Sequence, residues 1–258
     1  AYLRTYKAVL MNDASTYDFR HFMGRRFDCA ECHDHPFDAL SQNQYWGMTA
    51  FYARLTSTEL REDRILIEDT DGEEIDYGKT PDNELMFHKA ENPRTKIELV
   101  PTYLDGRVLA EEDRNDPRLH LAEWMVGHPY FAETAVNLIW SYFFSRGIVD
   151  PVDNFGSFNP PTHPDLLLEL AQDFRDHNHD LKHLMRHIMR SRTYQLSSFA
   201  TRYNVLDTKN FSRYYRKRLP AEVLQDAVAD LTGTPNRLVG MAPSTRAIEI
   251  WNNKIPSH

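Results

Sequence analysis

The chain has 258 residues, 41% of them apolar and 26% charged, enough material for a real core without disulfide staples. A formal net charge of -8 argues against a nucleic-acid-binding surface, and the basic run Arg213–Arg218 reads as a solvated or ion-paired face. No apolar run reaches the roughly 18 residues that a membrane-spanning helix requires.

In chain order, a helix is expected over 2–12, with Leu3, Tyr6, Val9 and Leu10 on one side. A second, over 15–27, runs into a pair of cysteines, and an aromatic-rich third covers 42–54. Residues 60–110 change character: Ile65-Leu66-Ile67 and Ile97-Glu98-Leu99-Val100 alternate with the turn signals Asp71-Gly72 and Asp105-Gly106, predicting a small β insertion with long loops. From Asp116 the pattern is helical again, over 117–127, 130–145, 164–177, 180–191 and 219–232. The segment 130–145 is apolar on most faces and is expected to be buried. In the rigid lead-in Asn159–Pro164, Thr162 or His163 should sit just outside a helix that starts at Pro164. The fold class is mainly α, a helical unit that carries the cysteine pair and a small β insertion, packed on a C-terminal helical unit. A boundary near 112 gives domains 1–111 and 112–258, expected to pack as one body.

The two cysteines are the only ones in the chain and are three residues apart, which suits a local chemical device rather than a disulfide framework. Cys29-Ala30-Glu31-Cys32-His33 is a C-x-x-C-H motif. In c-type haem attachment the two thiols form thioethers with the haem vinyl groups, and the adjacent histidine becomes the proximal iron ligand. Haem c is therefore the expected cofactor, with His33 on the iron. Other readings stay open. A thioredoxin-like dithiol would need a βαβ context, which is not seen. A zinc or iron site from Cys29, Cys32, His33 and His35 would crowd four ligands into seven residues. A simple disulfide or two free thiols complete the set. Haem attachment of this type happens outside the bacterial cytoplasm, so a periplasmic or secreted protein is expected. The chain opens on Ala1, so a processed or truncated product is also expected.

The run 22–38 (FMGRRFDCAECHDHPFD), followed by Tyr45-Trp46-Gly47 and Ala50-Phe51, resembles the second planctomycete cytochrome-C-like domain. The runs 135–155, 159–167, 191–198, 218–228 and 245–257 resemble its usual companion, planctomycete-specific domain one. The resemblance implies a secreted or periplasmic, haem-bearing protein of planctomycetes or relatives, and supplies no firm reaction. Such proteins are usually longer, so the chain is expected to be a fragment, a processed product or a short member. The family often places an arginine after the Asn of V-N-x-x-W; here Leu138 follows Asn137, so no role of that arginine carries over.

A Met or His on the second iron face gives an electron carrier, whereas an open face permits turnover. His163, held in its proline-bracketed loop, is the first candidate distal ligand, and His88 in the β insertion is a weaker one. His35 lies too close to His33 to cross the haem, and suits a propionate contact or a supporting position. His21, Met23 and Met48 are divided between packing and the haem pocket. His177, His179, His183 and His187 invite a metal, but Asp180 is the only carboxylate partner in view, so solvated histidines are favoured. Asn137, Arg146, Asp150 and Asp153 read as capping and pairing residues before they read as a substrate cleft. The functional expectation is electron transfer within an extracytoplasmic assembly, with a redox partner protein or further segments of that assembly as partners. One alternative is a haem-dependent oxidoreductase acting on an extracellular substrate such as a carbohydrate. Another is a binding module stapled by haem or metal. Whether the protein is an enzyme is left open.

Overall fold

The computed structural model describes residues 11–53, 55–61, 64–69, 92, 94–97, 99–242 and 245–250. Among these the fold is mainly α, with seven α-helices, short 3-10 turns and one β-hairpin. No helix of the described residues is long and apolar enough to cross a membrane.

Helix α1 (Met11–Phe22) is continuous across the break expected after residue 12. It stops short of residue 27 because Gly24 turns left-handed, at φ 64°. A Cβ at Gly24 would lie 2.5 Å from Thr134 Oγ1 and 2.8 Å from Phe155 Cδ2, so the same turn admits a close neighbour. Helix α2 (Gln42–Thr49) starts with a reciprocal cap. Ser41 Oγ accepts from the Gln44 N–H at 3.2 Å, and Gln44 Oε1 accepts from the Ser41 N–H at 2.9 Å.

Strands β1 (Leu55–Arg61) and β2 (Arg64–Asp69) pair antiparallel, with Leu55 opposite Asp69, and Ile65-Leu66-Ile67 lies in β2 as expected. Ile97, Leu99 and Val100 are not strand. The chain folds there around Asn92, whose Oδ1 accepts from Arg94 N–H (2.9 Å) and Thr95 N–H (3.0 Å), while its own N–H reaches Ile97 O at 3.0 Å. A side chain that offers the backbone a local turn outcompetes the alternating pattern.

Helices α3 (Pro117–Gly127), α4 (Pro129–Phe144) and α5 (Pro164–Asp176) each begin on proline, whose missing N–H costs nothing in a first turn. His163 is the residue immediately before α5, as the lead-in predicted. Helix α6 (Leu181–Arg190) is capped by Asp180, which accepts from the N–H groups of Lys182 (2.8 Å) and His183 (3.1 Å).

The buried apolar side chains form two clusters. Phe19, Phe27, Tyr45, Met48, Phe51 and Leu121 centre the first, around α1, α2 and α3. Val136, Phe144, Ile148, Leu170, Phe174 and Leu184 centre the second, around α4, α5 and α6. In α5 the buried positions Leu167, Leu170, Ala171 and Phe174 follow the i, i+3, i+4, i+7 spacing of a single helix face. Both clusters lie in the larger of two compact units, which ends at Tyr215.

The second unit begins at Arg216 and contains α7 (Ala221–Thr232), which ends at left-handed Gly233. Its centre is the buried Asp226 carboxylate. That group accepts from the Ala247 N–H (2.7 Å), the Ile248 N–H (3.1 Å) and Asn236 Nδ2 (2.7 Å), with Arg246 Nε at 3.5 Å. Burial would raise the Asp226 pKa, but these hydrogen bonds and the Arg246 charge outweigh it and hold the group below its ordinary value.

Candidate functional site

Residues Asp28–Glu31 form one 3-10 turn that carries Cys29, with Cys32 immediately after it. Only Ala30 of this turn is buried, in the first cluster, and both thiols are exposed and unpaired. The turn is fastened to α2 from three directions. Gln42 Nε2 (2.9 Å) and Trp46 Nε1 (3.0 Å) both donate to Glu31 O, and Asp34 Oδ1 accepts the Gln42 N–H at 2.8 Å. The cysteine positions are thus fixed by side chains of a capped helix rather than by the thiols themselves.

The tautomers of the two neighbouring histidines follow from their partners. His33 Nδ1 lies 2.7 Å from Asp34 O. A carbonyl only accepts, so Nδ1 carries the proton and the neutral ring keeps its lone pair on Nε2. His35 is the reverse: its Nδ1 accepts from the N–H groups of Phe37 (3.3 Å) and Asp38 (3.0 Å), which leaves the proton on Nε2. His33 therefore presents a ligand atom, and His35 presents a donor. Beside them Phe37 and Phe158, 65% and 53% exposed, stand with ring centroids 5.3 Å apart.

A segment of the later sequence is tied to the chain on both sides of the motif. Before the motif, Asp153 bridges Arg20 (2.5 Å) and Arg26 (2.6 Å), and the Phe155 N–H donates to Gly24 O at 2.9 Å. After it, Asp38 Oδ1 accepts from the Ser157 N–H (2.9 Å), and Ser157 Oγ donates to Phe37 O (2.7 Å). Burial pushes the Asp153 carboxyl up, but the hydrogen bonds from Arg26 and Arg20 prevail and keep it below its ordinary value.

Asn137 and Arg146 have structural parts near this segment. Asn137 is fully buried, accepts the Val149 N–H and donates to Val149 O, each at 2.9 Å. Arg146 pairs with Asp150 at 3.3 Å and donates to Thr208 O at 3.2 Å.

His163 packs on Phe211, with centroids 5.8 Å apart, in the second cluster. Thr162 spends its hydroxyl proton on Ile148 O (3.1 Å), so His163 Nδ1, 3.0 Å from that hydroxyl oxygen, is the donor and Nε2 keeps its lone pair. His88 lies outside the described residues. Met23 and Met48 are buried in the first cluster and act as packing residues, and His21 Nδ1 donates to Tyr17 O at 2.8 Å.

The histidines near α6 have a carboxylate that the sequence reading missed. Asp173, on α5, lies 2.9 Å from His183 Nε2 and 3.3 Å from His187 Nδ1. Asp180, the partner expected from sequence, instead caps α6. The available signal was Asp173-x-x-x-His177, an i, i+4 pair in the last turn of α5. Among the described residues, Asp173, His183 and His187 are the group whose ligand atoms converge, all within 4.8 Å; the cysteine motif is not such a group.

Two family models match the chain. Residues 3–57 match PSCyt2, a protein of unknown function (DUF1549), and residues 117–253 match PSD1, a protein of unknown function (DUF1553). These are the planctomycete cytochrome-C-like and domain-one families that the motifs resembled. No curated protein and no solved structure matches. The PSD1 match spans more than half of the sequence, and the chain belongs to that family.

Proposed function

We propose that the chain is a c-type cytochrome-like redox protein that carries one covalent haem and passes electrons within an extracytoplasmic assembly. One observation carries the reading. Two accessible, unpaired thiols sit on and just after one fastened turn, followed by a histidine whose Nδ1–H bond to Asp34 O leaves Nε2 ready for a metal. A ligating imidazole held by an outer hydrogen bond on its other nitrogen is the usual arrangement in metal sites.

The residues fit the group. Cys29 and Cys32 would hold it through thioethers and His33 through Nε2. The Nε2–H of His35 is a donor available to a carboxylate, and Phe37 and Phe158 offer exposed apolar surface beside His35. When bound, haem would supply a one-electron iron couple, tuned by a second protein ligand on the iron. His163, with Nε2 unprotonated in the neutral ring, is the first candidate for that position, and His88 the second. A four-ligand zinc site at the motif is disfavoured, because the ligand atoms of Cys29, Cys32, His33 and His35 do not form a converging group. A periplasmic or secreted location and a redox partner follow from the chemistry of attachment.

The test is expression of the full chain in a host with periplasmic haem maturation, then a pyridine haemochrome assay after acid-acetone extraction. Retained haem with a sharp low-spin reduced spectrum is expected. The double variant Cys29→Ala, Cys32→Ala should lose it, and His33→Ala should keep attachment but lose the low-spin signature. A high-spin spectrum that shifts with carbon monoxide would turn the reading to an oxidoreductase. No retained haem, under conditions that mature a control cytochrome, would overturn it.

A further inference from the structure

We propose that α5 and α6 form a second metal site, separate from the cysteine motif, in which Asp173, His183 and His187 bind one divalent transition ion of the zinc class. His183 and His187 are one helical turn apart on α6 and face the same way. Both aim a ring nitrogen at one oxygen of Asp173: His183 Nε2 is 2.9 Å and His187 Nδ1 is 3.3 Å from Oδ2. Zinc bonds of about 2.0–2.1 Å in tetrahedral geometry set ligand atoms about 3.4 Å apart. The two histidine–carboxylate spacings reach that value by a small opening, and all three ligand atoms already lie within 4.8 Å of one another. Two imidazoles and one carboxylate form a borderline donor set, suited to zinc over calcium or magnesium.

The surroundings fix the triad. The connection between the two helices places two consecutive non-glycine residues, Asn178 and His179, at positive φ (51° and 58°), so the turn is tight and its geometry is imposed. Asp180 then caps α6 at the His183 N–H. His177 Nδ1 donates to the Asp173 backbone O at 2.8 Å, and its ring stacks on His183 with centroids 3.7 Å apart and an interplanar angle of 13°. His177 thereby supports the His183 ring without being a ligand. Side-chain exposures of 25% for Asp173, 32% for His183 and 54% for His187 leave a path for an ion and a fourth position facing solvent. Three protein ligands with an open fourth position bind zinc without closing the site.

Zinc titration of the full chain by calorimetry tests the proposal, paired with cobalt(II) as a visible-band reporter. One equivalent should bind at this site, cobalt should show tetrahedral bands without thiolate charge transfer, and zinc should raise the melting temperature. Asp173→Asn and His187→Gln should each weaken zinc by more than the roughly 10–100-fold that loss of an outer partner costs, and His177→Ala should stay within that range. The double variant Cys29→Ser, Cys32→Ser separates the two sites and should keep the equivalent. Helical circular dichroism verifies that each variant is folded. Absence of zinc binding overturns the proposal. So does binding that survives in folded Asp173→Asn and His187→Gln, or binding that disappears with the cysteines.

Discussion

Replacing Asn137 by alanine removes the side chain that pairs both backbone groups of Val149. The Asn137 amide accepts from the Val149 N–H and donates to Val149 O, each at 2.9 Å, and reaches Val152 O at 3.4 Å. Val149 is 1% exposed, so water cannot take over these bonds. Each stranded backbone group costs about 1–3 kcal/mol, which puts the loss at roughly 4 kcal/mol with the long third bond neglected. That is a large part of the roughly 5–15 kcal/mol that holds a domain folded. At about 2–4 °C per kcal/mol for a unit of this size, the melting temperature should fall by about 8–16 °C. Urea unfolding followed by tryptophan fluorescence should show a lower midpoint at constant slope. Asn137→Asp should be no milder, because it keeps the acceptor for the Val149 N–H but turns a carboxylate oxygen toward two carbonyls. A loss below about 1 kcal/mol for Asn137→Ala would refute the idea that this amide pins the 147–152 loop.

Gly24→Ala should destabilise by about 2–4 kcal/mol, combining left-handed strain with overpacking against Thr134 and Phe155; thermal melting reads it. Asp153→Asn should cost about 1 kcal/mol or less at neutral pH, because the pair with Arg20 and Arg26 is partly exposed and solvent screens it. The folded pKa of Asp153 lies below its ordinary 3.8, so its contribution is present above that value and lost as pH falls through the folded pKa. Stability curves of wild type and Asp153→Asn should therefore run parallel at neutral pH and converge in acid. Asp38→Ala removes the acceptor of the Ser157 N–H, and amide exchange at Ser157 should accelerate by about 5-fold, the equivalent of 1 kcal/mol of local opening.

The helices of the second half were legible because their punctuation is local. Asp116-Pro117, His128-Pro129 and His163-Pro164 each mark a start that needs no tertiary information. The cysteine motif stands out for the same reason: its cysteines and histidine fall within five consecutive residues. The turn around Asn92 was missed because Ile97, Leu99 and Val100 have the composition of a strand, and the side chain that overrides them lies several residues upstream. Asp173 was missed because its partners His183 and His187 are on another helix, and only the tight turn through Asn178 and His179 brings them together. Asp226 reads as one more polar residue of an amphipathic helix, yet it holds backbone groups about twenty residues further on. Local rules find caps and contiguous motifs; carboxylates that act across a turn or a loop are invisible to them.

The arrangement around the motif bears on why the two matched families occur in one chain. The thiol-bearing turn belongs to the segment matching PSCyt2, but the groups that tie down its flanks, Asp153, Phe155 and Ser157, come from the segment matching PSD1. They grip Arg20, Gly24 and Arg26 before the cysteines, and Phe37 and Asp38 after them. Their own position depends on Asn137, which fixes the loop leading into Asp153. A cofactor attached through Cys29 and Cys32 would be held by one family segment on a footing built by the other. The same short segment brings Phe158 against Phe37, so the exposed aromatic pair beside His35 is built from both segments. The segment matching PSD1 thus fastens the chain on both sides of the cysteine motif.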